Sequence, residues 1–128
     1  MQEIINKIEE STWSVEKWRS FDGFIIETDK QIIRLGINND QQCCEDWGYF
    51  MSNDDLNDFI GAALSSVEIV NEALNSKLLE DDYEGSTMFV NINTNKGLLQ
   101  FVAYNNHNGY YSHEARVESI QLTHSESL

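Results

Sequence analysis

The sequence predicts an α+β fold, an antiparallel sheet of about six or seven strands with one or two short helices. Three observations predict it. Apolar residues alternate with polar ones on both sides of an Asn-Lys-Gly turn at 95–97. Isoleucines near the N-terminus recur at helical spacing. A run of helix-starting residues, Ser52-Asn53-Asp54-Asp55, stands mid-chain.

Taken in order, residues 2–10 place Ile4, Ile5 and Ile8 on one helical face and Glu3, Lys7, Glu9 and Glu10 on the rest. That spacing predicts a short amphipathic helix packed on the sheet. From Thr12 the period changes, and Trp13, Val15 and Lys17 alternate with Ser14 and Glu16 as in a strand. Residues 23–28 and 31–37 are rich in β-branched side chains around Asp29-Lys30, a plausible tight turn, and predict a hairpin. The polar run 38–42 reads as a loop leading to Cys43-Cys44, and 47–51 as a short strand. After Ser52, side-chain oxygens suit the free amides of a first helical turn and aspartates suit its positive end. Leu56, Phe59 and Ile60 then share a face and Gly61 can end a helix of about two turns. Residues 66–74 read as a strand, although the same pattern can be drawn helically. An acidic loop at 80–85 precedes the clearest element. There Met88, Val90 and Ile92 run out and Leu99, Phe101 and Ala103 run back. Residues 114–122 predict a final strand, and the polar 124–128 a frayed end. With no internal repeat and no interdomain linker, residues 1–128 are expected to form a single domain.

The chain has 128 residues, 41% of them hydrophobic, enough to bury one core and too many for a disordered chain. No apolar run approaches the roughly 20 residues of a membrane-spanning helix, and the N-terminus shows no secretion signal. A cytoplasmic protein is expected. There, two cysteines are thiols or metal ligands more readily than a disulfide. Charge is the most extreme property: 22 acidic against eight basic side chains, formally −14. Such a surface repels phosphate backbones and anionic membranes, so direct nucleic-acid or membrane binding is excluded as an expectation. It suits a strongly basic protein surface.

Cysteine thiolate and imidazole nitrogen are the preferred tetrahedral ligands of zinc. Cys43, Cys44, His107 and His113 supply that set, the two histidines flanking a Gly109 turn. Adjacent cysteines point to opposite faces of an extended strand, so both can ligate only where the backbone bends. A buried cysteine can also serve as a small core hydrophobe, and loop histidines can simply bond backbone. A histidine-activated catalytic thiol is a third reading. Glu45 and Asp46 oppose it, because nearby negative charge suppresses the thiolate. Two acidic patches, Asp54-Asp55 with Asp58 and Glu80-Asp81-Asp82 with Glu84, are candidate partner-binding surfaces. Neither has the alternating carboxylates and fixed glycine of a calcium loop. No phosphate-cradling glycine loop or nucleophile elbow occurs.

Cys-Cys-Glu-Asp-Trp (43–47), Asp-Leu-Asn-Asp-Phe-Ile-Gly (55–61), Asn-Lys-Gly (95–97) and His-Asn-Gly-Tyr-Tyr-Ser-His (107–113) together resemble a family of small uncharacterised phage and bacterial domains, over roughly residues 22–120. In size and acidity the chain also resembles phage inhibitors of bacterial immunity, anti-CRISPR proteins among them. That resemblance implies a non-enzymatic inhibitor in the cytoplasm of the bacterial host. It would bind a basic surface of a type II CRISPR effector nuclease and block DNA loading or cleavage. The ligand types at Cys43, Cys44, His107 and His113, and not the resemblance, add a structural zinc that pins its loops. The competing expectations are a small zinc metalloenzyme and a housekeeping binding module of unknown substrate.

Overall fold

Residues 3–16, expected to begin as a helix, form one long strand on which both halves of the molecule hang. The computed structural model describes residues 2–16, 19–39, 47–53, 55–70, 86–105 and 113–128. Its strands are β1 (Glu3–Glu16), β2 (Arg19–Thr28), β3 (Ile32–Asn38), β4 (Trp47–Met51), β5 (Ala63–Val70), β6 (Ser86–Thr94), β7 (Gly97–Asn105), β8 (Glu114–Glu118) and β9 (Thr123–Ser127). All neighbours are antiparallel. The nine strands make one sheet in the order β4-β7-β6-β5-β1-β2-β3-β8-β9.

The expected α+β class is therefore corrected to all-β. Among the described residues the only helical element is a 3₁₀ turn, Leu56–Phe59. It stands where a two-turn helix was expected, capped by Asp55, whose Oδ1 accepts from the Asn57 amide at 3.0 Å. The N-terminal helix fails for a definite reason. β1 pairs Ile5 with Thr28 and Lys7 with Glu27, so one extra residue bulges out between them. The bulge shifts the strand's parity, and Ile5 and Ile8, three apart, then join the same core. A period of three in the sequence was a bulged period of two.

The hairpins stand where turn chemistry placed them. β2 and β3 close with the Thr28 amide donating to the Gln31 carbonyl at 2.9 Å. β6 and β7 pair without a register shift from Ser86↔Asn105 to Thr94↔Gly97. The strand expected at 66–74 begins earlier, at Ala63, and its last four residues lie outside the described ones. The strand expected over 114–122 ends at Glu118. Ser119 folds a turn against Leu122, its amide donating to the Leu122 carbonyl at 2.8 Å. The end expected to fray is β9, paired along β8, and Leu128 is buried.

β1 divides the sheet into halves. Its first residues pair with β5 (Glu3↔Leu64, Ile4↔Ala63) and the remainder with β2. The halves fold across one another. Phe24 of β2 meets Phe101 of β7 edge-on at 6.3 Å, and Tyr49 of β4 at 5.7 Å. Between them lies the core of Ile5, Ile26, Leu35, Val90, Ile92 and Phe101 with their neighbours. Fully burying one such side chain is worth about 1.5–3 kcal/mol, so this interior dominates the stability.

A polar knot closes one end. Glu3 is buried, and its Oε2 accepts from Thr28 Oγ1 at 2.5 Å and Gln31 Nε2 at 2.8 Å. Gln121 Nε2 donates to the other oxygen at 3.3 Å. One carboxylate thus ties the start of β1 to the β2–β3 and β8–β9 turns.

Candidate functional site

His113 is the one member of the expected ligand set within the described residues; Cys43, Cys44 and His107 lie outside them. It immediately precedes β8 and is 1% exposed. Its amide donates to the Leu128 carbonyl at 3.0 Å and its carbonyl accepts from the Leu128 amide at 2.8 Å. The ring stacks on Trp47, centroids 4.9 Å apart and planes 27° apart. Nδ1 sits 2.8 Å from the Asn38 carbonyl oxygen. A carbonyl only accepts, so this contact places the proton on Nδ1 and leaves the neutral ring's lone pair on Nε2. Nε2 is buried and has no hydrogen-bond partner among the described residues. A metal-ligating histidine is arranged in this way, one ring nitrogen held by a backbone carbonyl and the other turned to the metal.

The surroundings follow from strand order. β3 ends at Asn38, β4 begins at Trp47, β7 ends at Asn105 and β8 follows His113. Trp47 pairs with Asn105, and the buried Asn105 Nδ2 donates to the Leu128 carbonyl at 3.1 Å. The stretches 40–46 and 106–112 therefore leave from, and return to, one corner. Among the described residues no group of three or more histidine, cysteine and carboxylate side chains is placed to hold a metal.

Of the expected partner-binding carboxylates, Asp55 and Asp58 are exposed on the 3₁₀ turn. Asp54, Glu80, Asp81, Asp82 and Glu84 lie outside the described residues.

One cluster was not anticipated. Tyr49 of β4 donates its hydroxyl proton to Glu10 Oε2 at 2.6 Å. Nearby, Asp22 Oδ1 accepts from Thr12 Oγ1 at 2.7 Å and Asn39 Nδ2 at 2.8 Å. Burial, first, then the Glu10 hydrogen bond and the charges of Glu10 and Asp22 push the Tyr49 hydroxyl well above the ordinary tyrosine range. A tyrosine held neutral in this way is a donor and not a base. The signal that could have found it was the alternation of Glu10 and Thr12 along β1, hidden by reading that segment as a helix.

Charge is distributed unevenly. Trp13, Phe21 and Gly36 share the face of β1-β2-β3-β8 that points away from the core, the Trp13 ring lying against Gly36 and Phe21. All three arginines, Arg19, Arg34 and Arg116, lie on this outer face. Arg19 pairs with Glu114, and Arg116 Nε lies 2.9 Å from Glu118 Oε1. Elsewhere, Asp29, Asp55, Asp58 and Glu68 are exposed.

The chain belongs to DUF7448, a domain family of unknown function, whose model matches residues 2–117. No curated protein and no solved structure matches it. Among the described residues, no helix is long and apolar enough to cross a membrane.

Proposed function

We propose that the domain is a non-enzymatic inhibitor that presses acidic surface against a basic, nucleic-acid-binding surface of another protein. The most concrete partner is a type II CRISPR effector nuclease, whose DNA channel is lined with positive charge. The observation that carries the reading is the charge of −14 together with its placement. The arginines are gathered on one outer face beside glutamates, and carboxylates such as Asp55, Asp58 and Glu68 stand exposed elsewhere, where a basic partner could meet them. Charge of this kind steers encounter and selects partners more than it adds affinity. The test is DNA cleavage by purified guide-loaded nuclease with excess inhibitor. Suppression that weakens with added salt, and is reduced by D55N/D58N, supports the proposal. Full cleavage with no co-purification sinks it.

A structural zinc is the second part of the proposal, supported by the unpartnered Nε2 of the buried His113. At about 3.5 Å per residue, four residues of chain on either side keep Cys43 within about 14 Å of both Asn39 and Trp47. Two residues keep His107 within about 7 Å of Asn105 on the same scale. A zinc held by Cys43, Cys44, His107 and His113 would have four protein ligands, the closed set that serves structure rather than substrate. Elemental analysis of the purified protein is expected to find stoichiometric zinc, lost in C44S and H113A. Metal-free parent protein with its native fold refutes this part and leaves the inhibitor reading standing.

A further inference from the structure

We propose that the outer face of β2 and β3 is the contact by which two copies of this chain form a symmetric dimer. It does not depend on the inhibitor reading.

Two copies carrying −14 each repel one another over most of their surfaces. The outer face of β1-β2-β3-β8 is different. Among the described side chains, Lys7, Arg19, Arg34 and Arg116 stand there against Glu9, Glu27, Glu114 and Glu118, and these formal charges cancel. A second copy can approach here without meeting net like charge. The face also leaves an apolar side chain in solvent, Ile32, which is 45% exposed. Ile120, 75% exposed, lies beyond the face on the β8–β9 turn, where its amide donates to Gln31 Oε1 at 2.7 Å.

Six of the eight charges already have partners: Lys7 with Glu9 at 3.3 Å, Arg116 with Glu118 at 2.9 Å, and Arg19 with Glu114. Arg34 and Glu27 are the remaining two, and among the described residues neither has an ion-pair or hydrogen-bond partner. Their placement is self-complementary. Ile25 lies opposite Arg34, and Glu27 opposite Ile32. On a strand pair these four positions are the corners of a rectangle of about 5 by 7 Å. The isoleucines occupy one diagonal and the unpaired charges the other. Turning a second copy over, about a two-fold axis lying along the isoleucine diagonal, sets isoleucine on isoleucine. The same rotation brings Arg34 of each copy to Glu27 of the other. Both charge pairs form at once, as an isologous interface requires.

The test is sedimentation equilibrium of the full chain over a concentration series. The parent is expected to dimerise, and R34E and E27R are each expected to be monomeric, with parent-like circular dichroism. Mixing R34E with E27R is expected to restore the dimer, because each variant then presents the charge the other lacks. Three results overturn the proposal: a parent that stays monomeric, as docking of an unlike partner on this face would leave it; a dimer that persists in both variants; or folded variants that do not associate on mixing.

Discussion

Replacing Gly23 with alanine is expected to disrupt the β2–β3 pairing, and replacing Gly36, directly opposite, is expected to cost less. A Cβ on Gly23 would overlap the Leu35 carbonyl oxygen and lie 2.6 Å from the Gly36 Cα and 2.8 Å from the Leu35 carbonyl carbon. All three are backbone atoms of β3, so no rotamer relieves the overlap and the strands must part. A Cβ on Gly36 would meet two indole carbons of Trp13 at 2.7 and 2.9 Å, and the Asp22 carbonyl oxygen at 2.9 Å. The indole can tilt outward at the expense of its stacking on Phe21. Overpacking that side chains can absorb costs about 1–3 kcal/mol, and more when backbone must move. We therefore expect G36A to lose about 1–3 kcal/mol and G23A about 3 kcal/mol or more. The assay is urea unfolding read as a shift in midpoint at constant slope. A double-mutant cycle separates the causes. W13A removes two of the three close contacts at Gly36, so G36A should cost about 1 kcal/mol less in that background. The cost of G23A should not change. G23A proving as mild as G36A, or a G36A cost indifferent to Trp13, refutes the reasoning.

Two further predictions concern buried polar groups. Because burial and Glu10 raise the Tyr49 hydroxyl above its unfolded value, the stability linked to it is complete below the ordinary tyrosine pKa of about 10 and lost as pH rises past that point. Y49F should flatten this alkaline loss, and in E10Q the hydroxyl should ionise at lower pH, though still late, since burial is the larger cause. An alkaline stability profile identical in Y49F and parent contradicts the assignment. At the polar knot, E3A strips the acceptor from Thr28, Gln31 and Gln121 and is expected to cost about 1–3 kcal/mol by urea unfolding. A loss within about 0.5 kcal/mol, as for an ordinary surface change, would show that the turns hold without it.

The hairpins were legible because their signals are local. Thr94-Asn95-Lys96-Gly97 fixes the β6–β7 turn, and both arms alternate without interruption to Ser86↔Asn105. β1 was not legible because a bulge imitates helical spacing, and only pairing with Glu27 and Thr28 of β2 reveals the extra residue. β9 was missed for another reason. Leu122, His124, Glu126 and Leu128 alternate toward the inner face with Thr123, Ser125 and Ser127 outward, but two of the four inward residues are polar. Inward charge at a sheet edge is a device against edge-to-edge aggregation, and it erases the hydrophobic period that would announce a strand. At Ser119 a single side chain ends β8, and nothing in the apolar pattern marks the break.

Of the candidate ligand set only His113 lies within the described residues, and its placement depends on a crossing that local pattern does not encode. β4 follows β3 in the chain but pairs with β7, in the other half of the sheet. Residues 40–46 therefore join the two halves, and 106–112 join them again between β7 and β8. Both connections are anchored at the corner where Trp47 stacks on His113 and Asn38 holds its ring. β3 and β4 share no ladder, so at this corner the halves are held by packing and by single bonds such as Asn105 to Leu128. A zinc bound as proposed would take its cysteines from one connection and its histidines from the other. It would close the corner where the sheet has no strand pairing of its own. Such a zinc would offset the burial of a ring nitrogen that has no partner among the described residues, a cost of about 1–3 kcal/mol set otherwise only against the stacking on Trp47.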